Sequence, residues 1–244
     1  MRRHLVTTAA ALVAMLTAAL SSNVSAAPIN ISVDIDSTRI SGTNTTGTIT
    51  TQPGFTSFDT TNVGTSGTMI TVGGITFEIF GLAAANQSRV RAAGGGGGPN
   101  DSLLTDFVFN EGASGRAVGL RISGLDVGAY QMQSWHFDSD AGVRANDNFI
   151  QVEVRNQGGT GTTLVDSFPF SENATSFGFG VSTPGQVKEV VFREDDVATT
   201  ADPTDQNRAR LNGFTIRTIP EPGSLALIVV ACLAACFRRG IRSK

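Results

Sequence analysis

Cysteine is almost missing from this 244-residue chain, and its two cysteines, Cys232 and Cys236, both lie in the final apolar run. Residues 27–219 therefore have no disulfide and no thiol chemistry. The spacing of the pair puts both sulfurs on one helix face, where small apolar filler is the plainest reading. Histidine is nearly as scarce: with His4 in the N-terminal segment, His136 stands alone in the rest. Any Ser-His-Asp triad has to be built on it, and no Gly-x-Ser-x-Gly elbow precedes it in that region. Lysine occurs once, as Lys188, before the final residue. One Trp and one Tyr leave little for sugar stacking, and the fifteen Phe suit a packed interior. Acidic residues are plentiful, but no spacing singles out a glycosidase pair.

The whole-chain net charge of −3 hides an asymmetry. Six of the 18 basic residues sit in the first 26 and last 25 positions. Residues 27–219 keep 12 basic and 20 acidic residues, a net −8. Such a segment repels phosphate, so nucleic acid is excluded as a partner. It suits a hydrated surface or divalent cations.

Gly and Thr are abundant, and short alternating apolar runs are separated by Gly, Asn and Asp. That pattern predicts an all-β fold. Strands are expected at 29–35, 69–72, 75–80, 107–109, 117–122, 130–137, 149–154, 163–168, 176–181, 187–192 and 211–217. Residues 37–71, crowded with Thr, Gly, Asn and Ser, read as an extended edge hairpin or a partly disordered arm, with O-glycosylation as the functional alternative to a solvated strand region. The Gly-rich loop at 94–98 lacks a following Gly-Lys-Ser/Thr, so it reads as a divider and not a phosphate cradle. It separates Thr/Gly-rich N-terminal strands (27–99) from a main sandwich (100–219).

Both ends read as addresses. Arg2-Arg3-His4 precedes an Ala/Leu/Val-rich stretch over 5–20, and Val24-Ser25-Ala26 offers the small residues a signal peptidase reads. Residues 1–26 are thus a signal peptide with a signal helix, cleaved between Ala26 and Ala27. At the other end Pro220-Glu221-Pro222-Gly223 precedes the apolar run 225–237 and a basic tail of Arg238, Arg239, Arg242 and Lys244. The run is short for a span, but it is apolar all round, and its basic flank fits the positive-inside rule. A C-terminal hydrophobic membrane helix is expected.

This tripartite tail, 220–244, resembles the PEP-CTERM sorting signal. The resemblance implies recognition and processing by an exosortase-like enzyme, after transient membrane anchoring, in a Gram-negative-type bacterium. Pro220, Glu221 and Pro222 are its sorting motif. A second set of pieces recurs in order: Leu103-Leu104-Thr105-Asp106-Phe107, Leu120-Arg121-Ile122-Ser123-Gly124-Leu125, Gly128-Ala129-Tyr130, Trp135-His136-Phe137-Asp138 and Arg210-Leu211-Asn212-Gly213-Phe214. They resemble the exported β-sandwich domains found beside such signals, similar to galactose-binding-like domains. The fold implied is a jelly-roll-like antiparallel β-sandwich.

Within it, Trp135 and Phe137 share one strand face and His136 and Asp138 the other, read as a core face against a polar face. Asp138, Asp140 and Asp147 form a candidate Ca²⁺ set on a glycine-turned loop, because calcium accepts flexible oxygen ligation. Structural calcium is also what the galactose-binding-like resemblance implies. The alternative is an acidic solvated turn. Together these readings predict an exported, non-catalytic surface or matrix protein. The alternatives are a lectin-like carbohydrate-binding module, with polysaccharide as partner, and a secreted hydrolase.

Overall fold

The computed structural model describes residues 26–40, 47–64, 67–82, 86–90, 100–110, 117–138, 149–169, 171–194 and 209–220. Both expected terminal helices, the loop at 94–98, Asp140, Asp147, Glu221, Pro222, Arg238, Arg239, Arg242 and Lys244 lie outside these residues. Among the described residues no helix is long and apolar enough to cross a membrane. The compact unit is Ala27–Pro220.

Its described residues form an all-β fold. One sheet has five strands in the order β11 (Ser171–Val181), β8 (Gly128–His136), β14 (Gly213–Thr218), β1 (Asn30–Asp36) and β2 (Thr56–Asp59). A second has six, in the order β10 (Gly161–Pro169), β9 (Phe149–Asn156), β12 (Lys188–Glu194), β7 (Ala117–Ser123), β4 (Ile75–Gly81) and β3 (Thr68–Val72). A small third sheet joins β13 (Ala209–Leu211), β6 (Asp106–Asn110) and β5 (Gln87–Val90). The pairings are antiparallel except β1–β2, which is parallel.

The two large sheets pack face to face as a sandwich. Phe77 of β4 meets Phe214 of β14 with ring centroids 5.0 Å apart, and His136 of β8 meets Phe192 of β12 at 5.0 Å. Alternation selects the inward side chains. Val33, Met132, Phe214 and Ile216 face inward from one sheet, and Phe77, Ile79, Leu120, Ile122 and Val190 from the other, all fully buried. On the outer side of the six-stranded sheet, Glu78, Arg121, Glu189 and Arg155 lie in register across four strands. Their ion pairs of 2.6, 2.9 and 2.8 Å form a half-buried charged row.

The expected strands are present, with two additions and one division. β2 and β5 read as polar in sequence, Thr-Ser-Phe-Asp and Gln-Ser-Arg-Val, and gain strand structure from their neighbours. The last expected strand is divided at Asn212, where the chain leaves the small sheet and enters the five-stranded one.

The face assignment on β8 needs correction. His136 is fully buried and points into the sandwich. Trp135 points outward, yet is only 7% exposed, because Leu103 and Leu104 cover it. Phe55 and the partly buried Phe137 pack on the same cluster. Both faces of this strand end are therefore interior. The covering segments come from 52–55 and 100–105, which sequence alone does not place there.

Gly213 lies under this cover. A Cβ there meets the Val33 carbonyl oxygen at 2.7 Å and the Leu103 side chain. The Leu103 side chain is the nearer obstacle and can yield, but the Val33 carbonyl is backbone and cannot swing aside. Gly213→Ala should cost about 1–3 kcal/mol in urea unfolding, as overpacking does. Gly64→Ala, with open space around it, should leave the midpoint nearly unchanged.

Candidate functional site

Polar groups concentrate where β1, β6, β8 and β13–β14 converge. Asn212 is fully buried there, and its backbone and side chain serve four partners. Its N–H donates to the Trp135 carbonyl at 2.9 Å, and its carbonyl accepts from Ile35 N–H at 2.8 Å. Its Oδ1 accepts from Phe137 N–H at 2.6 Å, and its Nδ2 donates to the Asp106 carbonyl at 2.9 Å.

His136 sits beside it. Its Nδ1 lies 2.5 Å from the Arg210 carbonyl, which can only accept, so Nδ1 carries the proton. Nε2 then accepts from the Ser134 hydroxyl at 2.8 Å. The Ser-His pair has the reach of a nucleophile and base, but both residues are fully buried, and a carbonyl stands where a triad carboxylate would. The pair cannot meet a substrate. Burial lowers the imidazole to about 4, with the Arg210 carbonyl bond opposing it.

Asp138, the described member of the expected calcium set, is 5% exposed. Its Oδ2 lies 3.5 Å from Arg210 Nε, with both side chains almost wholly buried. It already faces a cation, the guanidinium.

A second carboxylate cluster was not legible in the sequence. Asp34 and Asp36 of β1 and Asp106 of β6 are all fully buried. Asp34 Oδ2 accepts from Gln52 N–H at 2.5 Å, and Asp36 Oδ2 from the Thr51 hydroxyl at 2.7 Å. Oδ1 of each, and both oxygens of Asp106, are buried without a hydrogen-bond partner. The Ser37 backbone amide and the Asp36 carboxyl also act on the Asp106 carboxyl. Burial raises Asp106 to about 9, and the charges of Asp36 and Asp34 add to this. Burial likewise raises Asp34 to about 8, opposed by the Gln52 amide and reinforced by Asp36. Moving one aspartate from 3.8 to 8 costs about 4 kcal/mol at pH 7. Domains are typically stable by about 5–15 kcal/mol, so the cluster is a large local liability.

No family model matches this chain, and no curated protein matches it in sequence. Solved structures give distant likenesses. The CBM22-1 xylan-binding domain of Paenibacillus barcinonensis Xyn10C is 10% identical, with a TM-score of 0.31, over 63% of this chain and 86% of that one. An exo-β-1,3-galactanase of Phanerochaete chrysosporium is 12% identical, with a TM-score of 0.27, over 58% of this chain and 32% of its own. Tailspike protein 4 of bacteriophage CBA120 is 14% identical, with a TM-score of 0.24, over 60% and 19%. At such distances none of their ligands or activities transfers to this chain.

The buried imidazole gives a pH prediction. Its folded pKa lies below the ordinary 6.5, so its contribution is fully present above pH 6.5. It is lost as pH falls toward 4, because the unfolded chain takes the proton first. The loss amounts to about 3 kcal/mol. Asp34 and Asp106 act in the opposite sense, their contributions being lost as pH rises from about 4 through 8 and 9. The difference in unfolding free energy between His136→Gln and wild type should therefore shift in favour of the variant between pH 6.5 and 4. Urea titrations at several pH values read that difference directly.

Proposed function

We propose that this chain is an exported, non-catalytic β-sandwich protein of a cell surface or extracellular matrix. In this reading the N-terminal segment directs export, and the C-terminal tail is a PEP-CTERM-type signal for an exosortase-like enzyme. The observation that carries it is where the compact unit begins and ends. Ile29 N–H donates to Thr218 Oγ1 at 3.2 Å, and Thr218 N–H donates to the Ile29 carbonyl at 3.2 Å. Asn30 and Arg217 are register partners. The proposed cut between Ala26 and Ala27 and the Pro220-Glu221-Pro222 motif lie just beyond this joint. Removing either end thus takes no strand from the sandwich. The sealed Ser134–His136 pair supports a non-catalytic role. Repeated crossing of the chain between the two large sheets from β7 to β14 is in keeping with a jelly roll.

Processing is directly measurable. Intact-mass spectrometry of the shed protein should find Ala27 as the first residue and a trimmed C-terminus. Replacing Pro220-Glu221-Pro222 by three alanines should leave the protein in the membrane fraction. Shedding as efficient as wild type removes the sorting role.

A lectin-like reading has its own observation. The outer face of the five-stranded sheet carries an exposed polar row. Gln131 bonds Ser176 at 2.9 Å and accepts from Arg217 Nε at 2.9 Å, and Gln133 lies 3.5 Å from Thr215. Amides and a guanidinium are suitable partners for sugar hydroxyls. On a glycan array, with and without Ca²⁺, a polysaccharide hit should weaken at least tenfold in Gln131→Ala with Arg217→Ala. Binding unchanged by that pair moves any sugar site elsewhere.

A further inference from the structure

We propose that segments 51–55 and 100–105 are a cover over one end of the five-stranded sheet, latched by protons on the buried aspartates Asp34, Asp36 and Asp106 and released when those protons leave. The cover lies on one register line. Asp34 of β1, Gly213 of β14 and Trp135 of β8 are successive partners across three strands, and Asp34 and Trp135 are both buried beneath it. Gln52 N–H donates to Asp34, the Thr51 hydroxyl to Asp36, and Leu103 N–H to Gln52 Oε1 at 3.3 Å. Phe55 meets Trp135 edge-on, with ring centroids 5.9 Å apart. The two halves of the cover are thus tied to each other and to the acids. They are turns with local bonds, Phe55 N–H to the Gln52 carbonyl and Leu104 N–H to the Asn100 carbonyl. The acids, by contrast, belong to laddered strands.

Ionisation therefore acts on the part that can yield. Carboxylates held close in a dry place repel once charged, and admitting water is the least costly relief. The charges that act on Asp106 are those of Asp36 and Asp34, and the charge that acts on Asp34 is that of Asp36; no cation is among them. The charged and titratable groups of the surrounding elements lie otherwise. Asp59 of β2 is exposed, and Asp101 of the cover and Arg39 beyond β1 are half-buried. Arg89 of β5 stands over the Phe109 ring, 5.0 Å from its centroid. Arg210 of β13 faces Asp138, and His136 of β8 is on the inward side. Covered, Asp34 and Asp106 keep their protons to about 8 and 9; in water they return toward the ordinary 3.8. Closure is therefore strongest at acid pH. It weakens about tenfold per pH unit for each acid as the pH rises toward 8 and 9. Opening bares Trp135, the chain's single Trp, on the strand face that carries Gln131 and Gln133.

The test is residue-resolved amide hydrogen exchange on the full-length chain from pH 6 to 9, with each rate corrected for its intrinsic pH dependence. The amides of Gln52 and Leu103 should be far less protected than that of Ile35, which bonds the Asn212 carbonyl in the core. Their protection should fall by between about tenfold and a hundredfold per pH unit, as release of one or two protons requires. Asp106→Asn should flatten that slope by about tenfold per unit, because one titrating group is gone. Should that variant fail to fold, Asp34→Asn serves in its place. The exposed Asp126→Asn should keep the wild-type slope. Cover amides as well protected as Ile35 mean that the cover opens only with the whole sandwich, which overturns the proposal. Protection that does not fall with pH, or falls as steeply in the aspartate variant as in wild type, overturns the proton latch.

Discussion

The fully buried side chain of Asn212 ties the polar end of the sandwich together. It interrupts the strand that links the small sheet to the five-stranded one, and an interruption inside a protein leaves backbone groups without ladder partners. Its amide supplies the missing bonds, to Phe137 N–H and to the Asp106 carbonyl. Its own backbone continues the pairing with Trp135 and Ile35. An aspartate could not donate to Asp106, and a leucine could do neither. β1, β6 and β8 are held in one place by a residue with one acceptor and one donor correctly aimed.

That joint explains why so much polarity is interior here. Arg210, two residues before it, presents its carbonyl to His136 and its guanidinium to Asp138. Asp106 lends Asn212 a carbonyl, so its carboxylate is carried inside beside Asp34 and Asp36. The far half of the sandwich is organised differently, with Phe77, Ile79, Leu120 and Ile216 packed by shape alone. The two halves draw on different physics: area removed from water in one, directed bonds in a low dielectric in the other.

Much of the fold was legible because alternation and glycine turns are local signals. Strands such as β4 and β7 follow from their own residues. Trp135 and His136 were correctly put on opposite faces, since parity is local too. Which face is interior was not legible, because both are, and the second is covered by residues 52–55 and 100–105. The same cover hides Asp34 and Asp36. In an alternating strand acidic residues read as the solvent side, and the segment that buries them, near Thr51 and Gln52, reads as a polar arm. The motif pieces around Asp106 and Asn212 were visible as recurring sequence, but their chemistry needs the three-dimensional meeting of β1, β6 and β14.

The neighbouring ends of β1 and β14 also govern how the protein bears load. A pull applied across Ile29 and Thr218 acts at the open end of one antiparallel ladder. Its hydrogen bonds then break in succession, as in a zip, instead of being sheared together. A pull through only one end, with the other cut free, does not draw the two strand ends apart. A sandwich held by a single tether is therefore mechanically protected at the seam where it would otherwise open most easily.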